Sequence, residues 1–361
     1  MMKRLFEEIK PFLLAIGLII LVSAVLLSTD ASNKKSGGMP RVAIVQHASQ
    51  ASLDAGVDGI IEGLAQEGFI DGSTMMLKRY NAQADLPTAN DIALQVTNGS
   101  YDLVITASTV SMQAVANANK RAGVKHVFGI VTDATSSGVG ISATDPMDHP
   151  PYMVGISSLV PVAKALKRAQ QANPGLRRLG LVWHTAEINS QIHTEATRKA
   201  CKELGIELLE ANAENAAAVG EAARSLVARG VDALFITGDV VVLLAAESVV
   251  AAAKSGHIPV FTVIPPNYKK GTLFDEGADY VELGHDIGHL AGQVIKGLDI
   301  AKVPHVNKVP EKLTINLTAL DGLKDKWTIT PEMVSNAMYY IDKDGEHDQR
   351  DQVLARKQKG K

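Results

Sequence analysis

Two hydrophobic patterns alternate along most of this chain. Short unbroken apolar runs such as "VAIV", "LVIT" and "LGLVW" end in polar turns. Between them lie longer stretches with apolar positions three or four apart, as in "VDGIIEGLAQEG" and "VGEAARSLVARG". Continuous Val, Ile and Leu runs predict strands buried on both faces, and the 3.6-residue spacing predicts amphipathic helices between them. Strand and helix in strict alternation is the order of a parallel, doubly wound α/β sheet.

That order occurs twice. "RVAIVQHASQ" (41–50) corresponds to "RLGLVWHTAE" (178–187), each a strand followed by a histidine and a polar turn. "YDLVITAST" corresponds to "VDALFITGD", and "KHVFGIVTDA" to "HIPVFTVIPPN". The matched strand-end histidines, His47 and His184, favour internal duplication over chance likeness. The chain is therefore expected to form two similar lobes, at 39–154 and 155–281. The Gly-, Ser- and Pro-containing segment 133–156 reads as the crossover between them. One further helix, "YVELGHDIGHLAGQVIKGL" (280–298), is expected to return to the first lobe with about 282–330. Hinges are expected near 150–156 and 279–281.

The ends differ from this pattern. Residues 11–28, "PFLLAIGLIILVSAVLLS", carry no charge. As a helix they would span about 27 Å, close to a bilayer core. The basic residues Lys3, Arg4 and Lys10 ahead of the run favour an N-terminus inside and the rest exported. Residues 1–38 thus read as a membrane anchor and polar tether, with a cleavable signal peptide as the rival at Val22-Ser23-Ala24. No cysteine follows the run, so lipid attachment there is excluded. At the other end, 342–361 is charged without apolar periodicity and reads as a disordered tail.

Composition narrows the function. With 361 residues, 46% hydrophobic and 21% charged, the chain suits two domains. A net charge of −3 gives no pull toward nucleic acid. The only cysteine, Cys201, sits in an amphipathic helical pattern and reads as structural. His285 and His289 form an H-x-x-x-H pair, but without the H-E-x-x-H glutamate or an evident third ligand. They read as surface histidines, so no metal and no cofactor is expected. No G-x-S-x-G is present, and an enzyme is not expected.

In parallel sheets, ligands sit beyond the C-terminal strand ends, where helix N-termini present free N–H groups. Here those edges carry Ser49, Gln50, Ser108, Thr109, Thr132 and Asp133 in the first lobe. The second lobe offers Glu187, Asn189, Thr237, Asp239 and Pro265. The Ser108-Thr109 turn supplies donors for an anion, while Asp133 and Asp239 supply acceptors for an ammonium. Each alone suits a helix cap; on one edge together they suit a zwitterion.

These residues also carry a resemblance. "VDGIIEGLAQEGFIDGSTMMLKRYNAQAD", "LVITASTVSMQAV", "FGIVTDATSSG", "VGISSLVPV", "HTAEINS", "ITGDVVV" and "DYVELGHDIGHLAGQVIKG" follow one another in that order. Over residues 42–331 the chain resembles the ABC-transporter substrate-binding protein family of the periplasmic-binding type I fold, which includes tryptophan/tyrosine-binding members. The resemblance implies two hinged lobes closing over a small ligand, and delivery to a membrane permease and its ATPase. It implies contacts at Ser108-Thr109, Thr132-Asp133, Glu187, Asn189, Ser190, Thr237 and Asp239. Ser157-Ser158 stands where the family commonly has Ser-Asp, Thr237-Gly238-Asp239 where it has Thr-Asp-Asn, and "IPPNYKKG" replaces a small or acidic segment. These departures point to a ligand that differs from an aromatic amino acid, and Ser158 in place of an acid implies a less cationic one. The expected function is an extracytoplasmic solute-binding protein of an ABC importer, in the periplasm or at the cell surface, taking a small polar or zwitterionic, amino-acid-like metabolite. The alternative is a ligand-sensing ectodomain signalling through a separate membrane partner. A repressor of this architecture would carry a basic helix-turn-helix where the apolar run stands.

Overall fold

The computed structural model describes residues 38–359. The anchor expected at 11–28 and its tether up to residue 37 lie outside the described residues. Among the described residues no helix is long and apolar enough to cross a membrane.

The first lobe opens with β1 (Arg41–Gln46), α1 (Ala51–Gln66), β2 (Met76–Asn81) and α2 (Leu86–Val96). It continues with β3 (Leu103–Ala107), α3 (Thr109–Asn119), β4 (His126–Val131) and β5 (Met153–Ser157). The second begins with α4 (Val162–Ala172), β6 (Arg178–Trp183), α5 (Ile188–Leu204), β7 (Glu207–Asn212) and α6 (Ala216–Ala228). It goes on through β8 (Ala233–Ile236), α7 (Val240–Leu244), α8 (Ala246–Ser255), β9 (Val260–Thr262) and β10 (Phe274–Ala278). Strands β5-β4-β3-β1-β2 lie side by side in one sheet and β10-β9-β8-β6-β7 in the other, all parallel within each set. The repeated strand order is the doubling read from the sequence. Every residue of β3, β4, β5, β8, β9 and β10 is buried, as two helical layers require, while the edge strands β2 and β7 are partly exposed. Phe235, Phe261 and Phe274 stack across neighbouring strands at 5.0 Å between successive ring centroids and anchor the second core.

The lobe boundaries lie elsewhere than expected. Residues 155–157, assigned by pattern to the second lobe, pair with β4 inside the first sheet. The first crossover therefore follows β5, at 158–161, and the segment 150–156 is no hinge. The chain returns at Asp279, which caps α9 (Tyr280–Ile295) and leads to β11 (Val306–Asn307), paired with β5. It then crosses once more: β12 (Glu311–Asn316) pairs antiparallel with β10, so 311–330 builds the second lobe. Helix α10 (Pro331–Asn336) and strand β13 (Tyr339–Asp342), parallel to β12, extend it.

The expected disordered tail is ordered through Lys359. Strand β14 (Gly345–Asp348) pairs antiparallel with β13, and α11 (Arg350–Lys359) follows, with Val353 buried. Tyr340 and His347 stack at 4.3 Å across the hairpin. Charge density hid the strand, although Asp344-Gly345 is a hairpin signal.

Helix α9 is fastened to α1 by a seam of glycines. A Cβ on Gly288 would lie 2.3 Å from the Ile60 carbonyl oxygen and 2.9 Å from the Gly63 Cα. One on Gly284 would meet the Gly56 carbonyl oxygen at 2.3 Å and the Gly59 Cα at 2.9 Å. Polar contacts flank the seam: hydrogen bonds from His285 Nε2 to Glu62 at 2.6 Å and from His289 Nδ1 to Glu67 at 2.9 Å, and an ion pair of Lys296 Nζ with Glu67 at 2.6 Å. The H-x-x-x-H pair thus docks a helix.

Candidate functional site

The C-terminal ends of both sheets face a shared cleft between the lobes. Within it, about 40 Å³ is open to the centres of water molecules, room for only a few of them. From the first lobe it is lined by Gln50 after β1, Ser108 and Thr109 after β3, Ile130 and Thr132 at the end of β4, and Ser158 after β5. The second lobe adds Asn189 and His193 of α5, Gly238 and Val240 after β8, and Ile264 after β9. Tyr280 at the start of α9, with Leu53, Val110 and Leu243, completes an apolar wall. None of the described residues lining the cavity is Asp, Glu, Lys or Arg.

Helix starts supply the polarity. Gln50 caps α1: its Oε1 accepts from the Ser52 and Leu53 N–H groups at 3.1 and 3.0 Å. Ser108 caps α3, its Oγ accepting from Ser111 N–H at 3.1 Å. The first-turn N–H groups of such helices have no partner within the helix and carry partial positive charge.

Two lining residues hold unusual backbone. Ser108 has φ 146° and ψ 162°, a region populated essentially by glycine. Ile130 has φ 54°, at a register shift between Phe128 and Val131 in the β4–β5 pairing. Each such conformation costs about 1–3 kcal/mol and concentrates at ligand sites; the bulge re-aims Ile130 into the cleft.

Of the residues selected from sequence, the structure brings Gln50, Ser108, Thr109, Thr132, Ser158 and Asn189 to the cavity wall. Others lie behind it. Ser49 is exposed, and its Oγ accepts from Asn81 at 2.8 Å. Asp133 is turned into its own loop, with Oδ1 accepting from Thr135 Oγ1 at 2.7 Å and Oδ2 from Ser136 Oγ at 2.6 Å. Burial pushes that carboxyl up, but these bonds outweigh it and hold its pKa below the ordinary value. Asp239 is fully buried and caps α7: it accepts from His184 N–H and Ser190 Oγ, both at 2.6 Å, and from Val242 N–H at 3.0 Å. The expected pair of ammonium acceptors, Asp133 and Asp239, is thus consumed by local caps and does not reach the cavity. Thr237 and Pro265 are buried beside the wall without forming it. Glu187 is buried just outside it, accepting from Asn189 Nδ2 at 3.0 Å. Burial pushes its carboxyl up, and the neighbouring Asp239 adds to this.

The strand-end histidines are structural. His184 Nδ1 bonds the Ala213 carbonyl at 3.0 Å, and His47 is buried, which lowers its pKa to about 4. Cys201 is buried too, its thiol pushed up to about 12, so it is inert. Pattern reading passed over His193, one turn after Asn189 on the same helical face; that i, i+4 spacing was its only signal. Asn189 Oδ1 and His193 Nδ1 are buried without a hydrogen-bond partner among the described residues, an expensive arrangement that a bound polar group relieves.

The two sides of the cleft meet: Thr132 Oγ1 of the first lobe lies 3.4 Å from His193 Nε2 of the second. The lobes are closed on one another. Comparisons agree with this geometry. A tyrosine-binding protein of Clostridioides difficile (strain R20291) is 28% identical over 295 residues, 82% of each chain. A structure from Streptococcus pneumoniae, described as an ABC domain in complex with L-Trp, has a TM-score of 0.77 at 21% identity, covering 84% of this chain and 100% of that one. The ligand-free, open structure of a substrate-binding protein with adhesive properties from Clostridium difficile reaches only 0.62 despite 26% identity, covering 84% and 99%. The periplasmic-binding type I architecture is common to them. The family model for ABC transporter substrate binding proteins matches residues 41–337, and the chain belongs to that family.

Proposed function

We propose that this protein captures a zwitterionic amino acid, aromatic in preference, between its lobes, which part further than they do here to hold it, and presents it to an ABC permease and its ATPase on the extracytoplasmic side, held there through residues 11–28. The carrying observation is the charge balance of the cleft: a wall without ionised side chains, polarised by helix starts and backed by an apolar surface. A ligand of zero net charge that separates its charges internally suits that wall. Its carboxylate finds the N–H groups at the start of α3, beside the Ser108 and Thr109 hydroxyls. Its ammonium finds neutral acceptors, the Asn189 Oδ1 foremost. The side chain lies against Leu53, Ile130, Leu243 and Tyr280, whose phenol burial keeps protonated. The tyrosine-binding relative and the tryptophan complex support the aromatic preference.

Titration calorimetry with L-tyrosine, L-tryptophan, glycine, L-lysine and glucose tests this. Saturable binding is expected for the two aromatic amino acids, with lysine and glucose silent. Binding of glucose alone, or of lysine ahead of tyrosine, would refute the reading. Fractionation of cells bears on the anchor: the intact protein is expected with membranes, and a released form beginning past residue 24 would contradict it.

A further inference from the structure

We propose that His193 is a positioning residue that bridges the closed lobes only as the neutral imidazole, so that closure over the ligand releases a proton; this rests on the reading of the cleft as an amino-acid site. His193 is 2% exposed and lies between the lobes. On its own side it is pressed on Gly238: a Cβ there would sit 2.4 Å from Nε2. Across the cleft, Nε2 faces Thr132 Oγ1 at 3.4 Å. Nδ1 has no partner among the described residues. An imidazolium carries two N–H donors, and the closed cleft gives it one acceptor at most, leaving a buried charged donor unpaired.

No charge nearby offsets this. Helix α3 carries no charged residue. Beyond Thr132, Asp133 is occupied by Thr135 and Ser136. Behind Gly238, Asp239 is occupied by His184, Ser190 and Val242. At the start of α5, Glu187 bonds Asn189. Burial alone therefore acts on His193 in the closed state and lowers its pKa from 6.5 to about 4. In the open cleft the ring meets water and regains the ordinary value. The closed state then binds fewer protons than the open one, so closure is favoured at neutral pH and lost as pH falls from 6.5 toward about 4. Glu187, pushed up by burial, titrates with the opposite sign and needs its own control.

Spin labels on Leu94→Cys and Glu221→Cys, exposed sites on opposite lobes, report closed and open populations by their separation. Between pH 7.5 and 5 the closed-to-open ratio should fall about thirtyfold, with L-tyrosine or L-tryptophan present and in the protein alone. His193→Gln, or His193→Asn should the first not fold, should hold the ratio within about twofold, in wild-type and Glu187→Gln backgrounds alike. An acid response equal in wild type and the His193 variants, or none in wild type, would overturn the proposal. If neither amino acid changes the closed population at pH 7.5, the amino-acid reading fails, and the acid response of the protein alone still decides the role of His193.

Discussion

At the scale of single residues, a carboxylate at a strand end has two uses, a ligand contact or a helix cap, and local geometry decides between them. Asp239 holds three donors, two of them buried. Asp239→Ala is therefore expected to destabilise the protein by about 3 kcal/mol, read as a lower urea midpoint. A wild-type midpoint with binding abolished would restore it as a ligand contact. Ser108 poses the reverse case. Its backbone is strained, while its hydroxyl caps α3. Ser108→Gly relieves the strain and loses only a few tenths of a kcal/mol of capping, whereas Ser108→Ala keeps the strain and loses about 1 kcal/mol. Thermal unfolding should rank Gly above wild type and wild type above Ala, while calorimetry should show weaker tyrosine binding in both variants. Ala equal to wild type in stability would mean the cap contributes nothing.

At the scale of elements, what was legible in the sequence follows from burial. Strands covered on both faces write themselves as unbroken apolar runs, so the parallel strands of each half and their repeat could be read. Strand β5 was misassigned because "MVGIS" follows a long irregular segment and looks like its continuation. The third crossing at 308–310 left no mark, since nothing in the pattern tells a parallel return from an antiparallel one. Four candidate site residues, Ser108, Thr109, Thr132 and Ser158, reach the cavity because they follow strand ends directly, and Gln50 and Asn189 reach it from the starts of the helices that come next. The acids were misjudged because capping depends on side-chain direction, and His193 was missed because it lies within a helix. The glycine seam shows what packing demands of an element. Gly288→Ala places its methyl against the Ile60 carbonyl and the Gly63 Cα, which are backbone and cannot yield. Gly56→Ala meets the Ile130 Cδ1, the end of a side chain that can turn. The first should cost about 3 kcal/mol or more by urea unfolding and the second about 1 kcal/mol. Equal losses would mean α9 shifts freely on α1.

At the scale of the molecule, the described chain crosses between lobes at 158–161, at 279 and at 308–310, and these strands of backbone are the hinge candidates. The fold makes hinge motion cheap. Each lobe owns a complete sheet, so parting them leaves both sheets paired and gives up the cleft contacts, polar and apolar, together with the part of the shared apolar cluster that runs from one lobe to the other. The wall has reason to part, because Asn189 and His193 keep polar atoms without a partner among the described residues when closed, and water would satisfy them. A ligand bridging the Ser108–Thr109 turn and Asn189 touches both lobes only when they are shut, so it binds the closed state better and shifts the population toward it. Small-angle scattering at pH 7.5 should therefore give a smaller radius of gyration with saturating L-tyrosine than in the protein alone. Asn189→Ala, which removes the second-lobe side of the bridge, should abolish the compaction. The loss of its bonds to Glu187 and the Gly238 carbonyl should lower stability by about 1–3 kcal/mol, read as a lower urea midpoint, without unfolding the protein. A radius unchanged by a ligand that calorimetry shows to be bound would mean that the cleft is preformed and that the crossovers do not act as hinges.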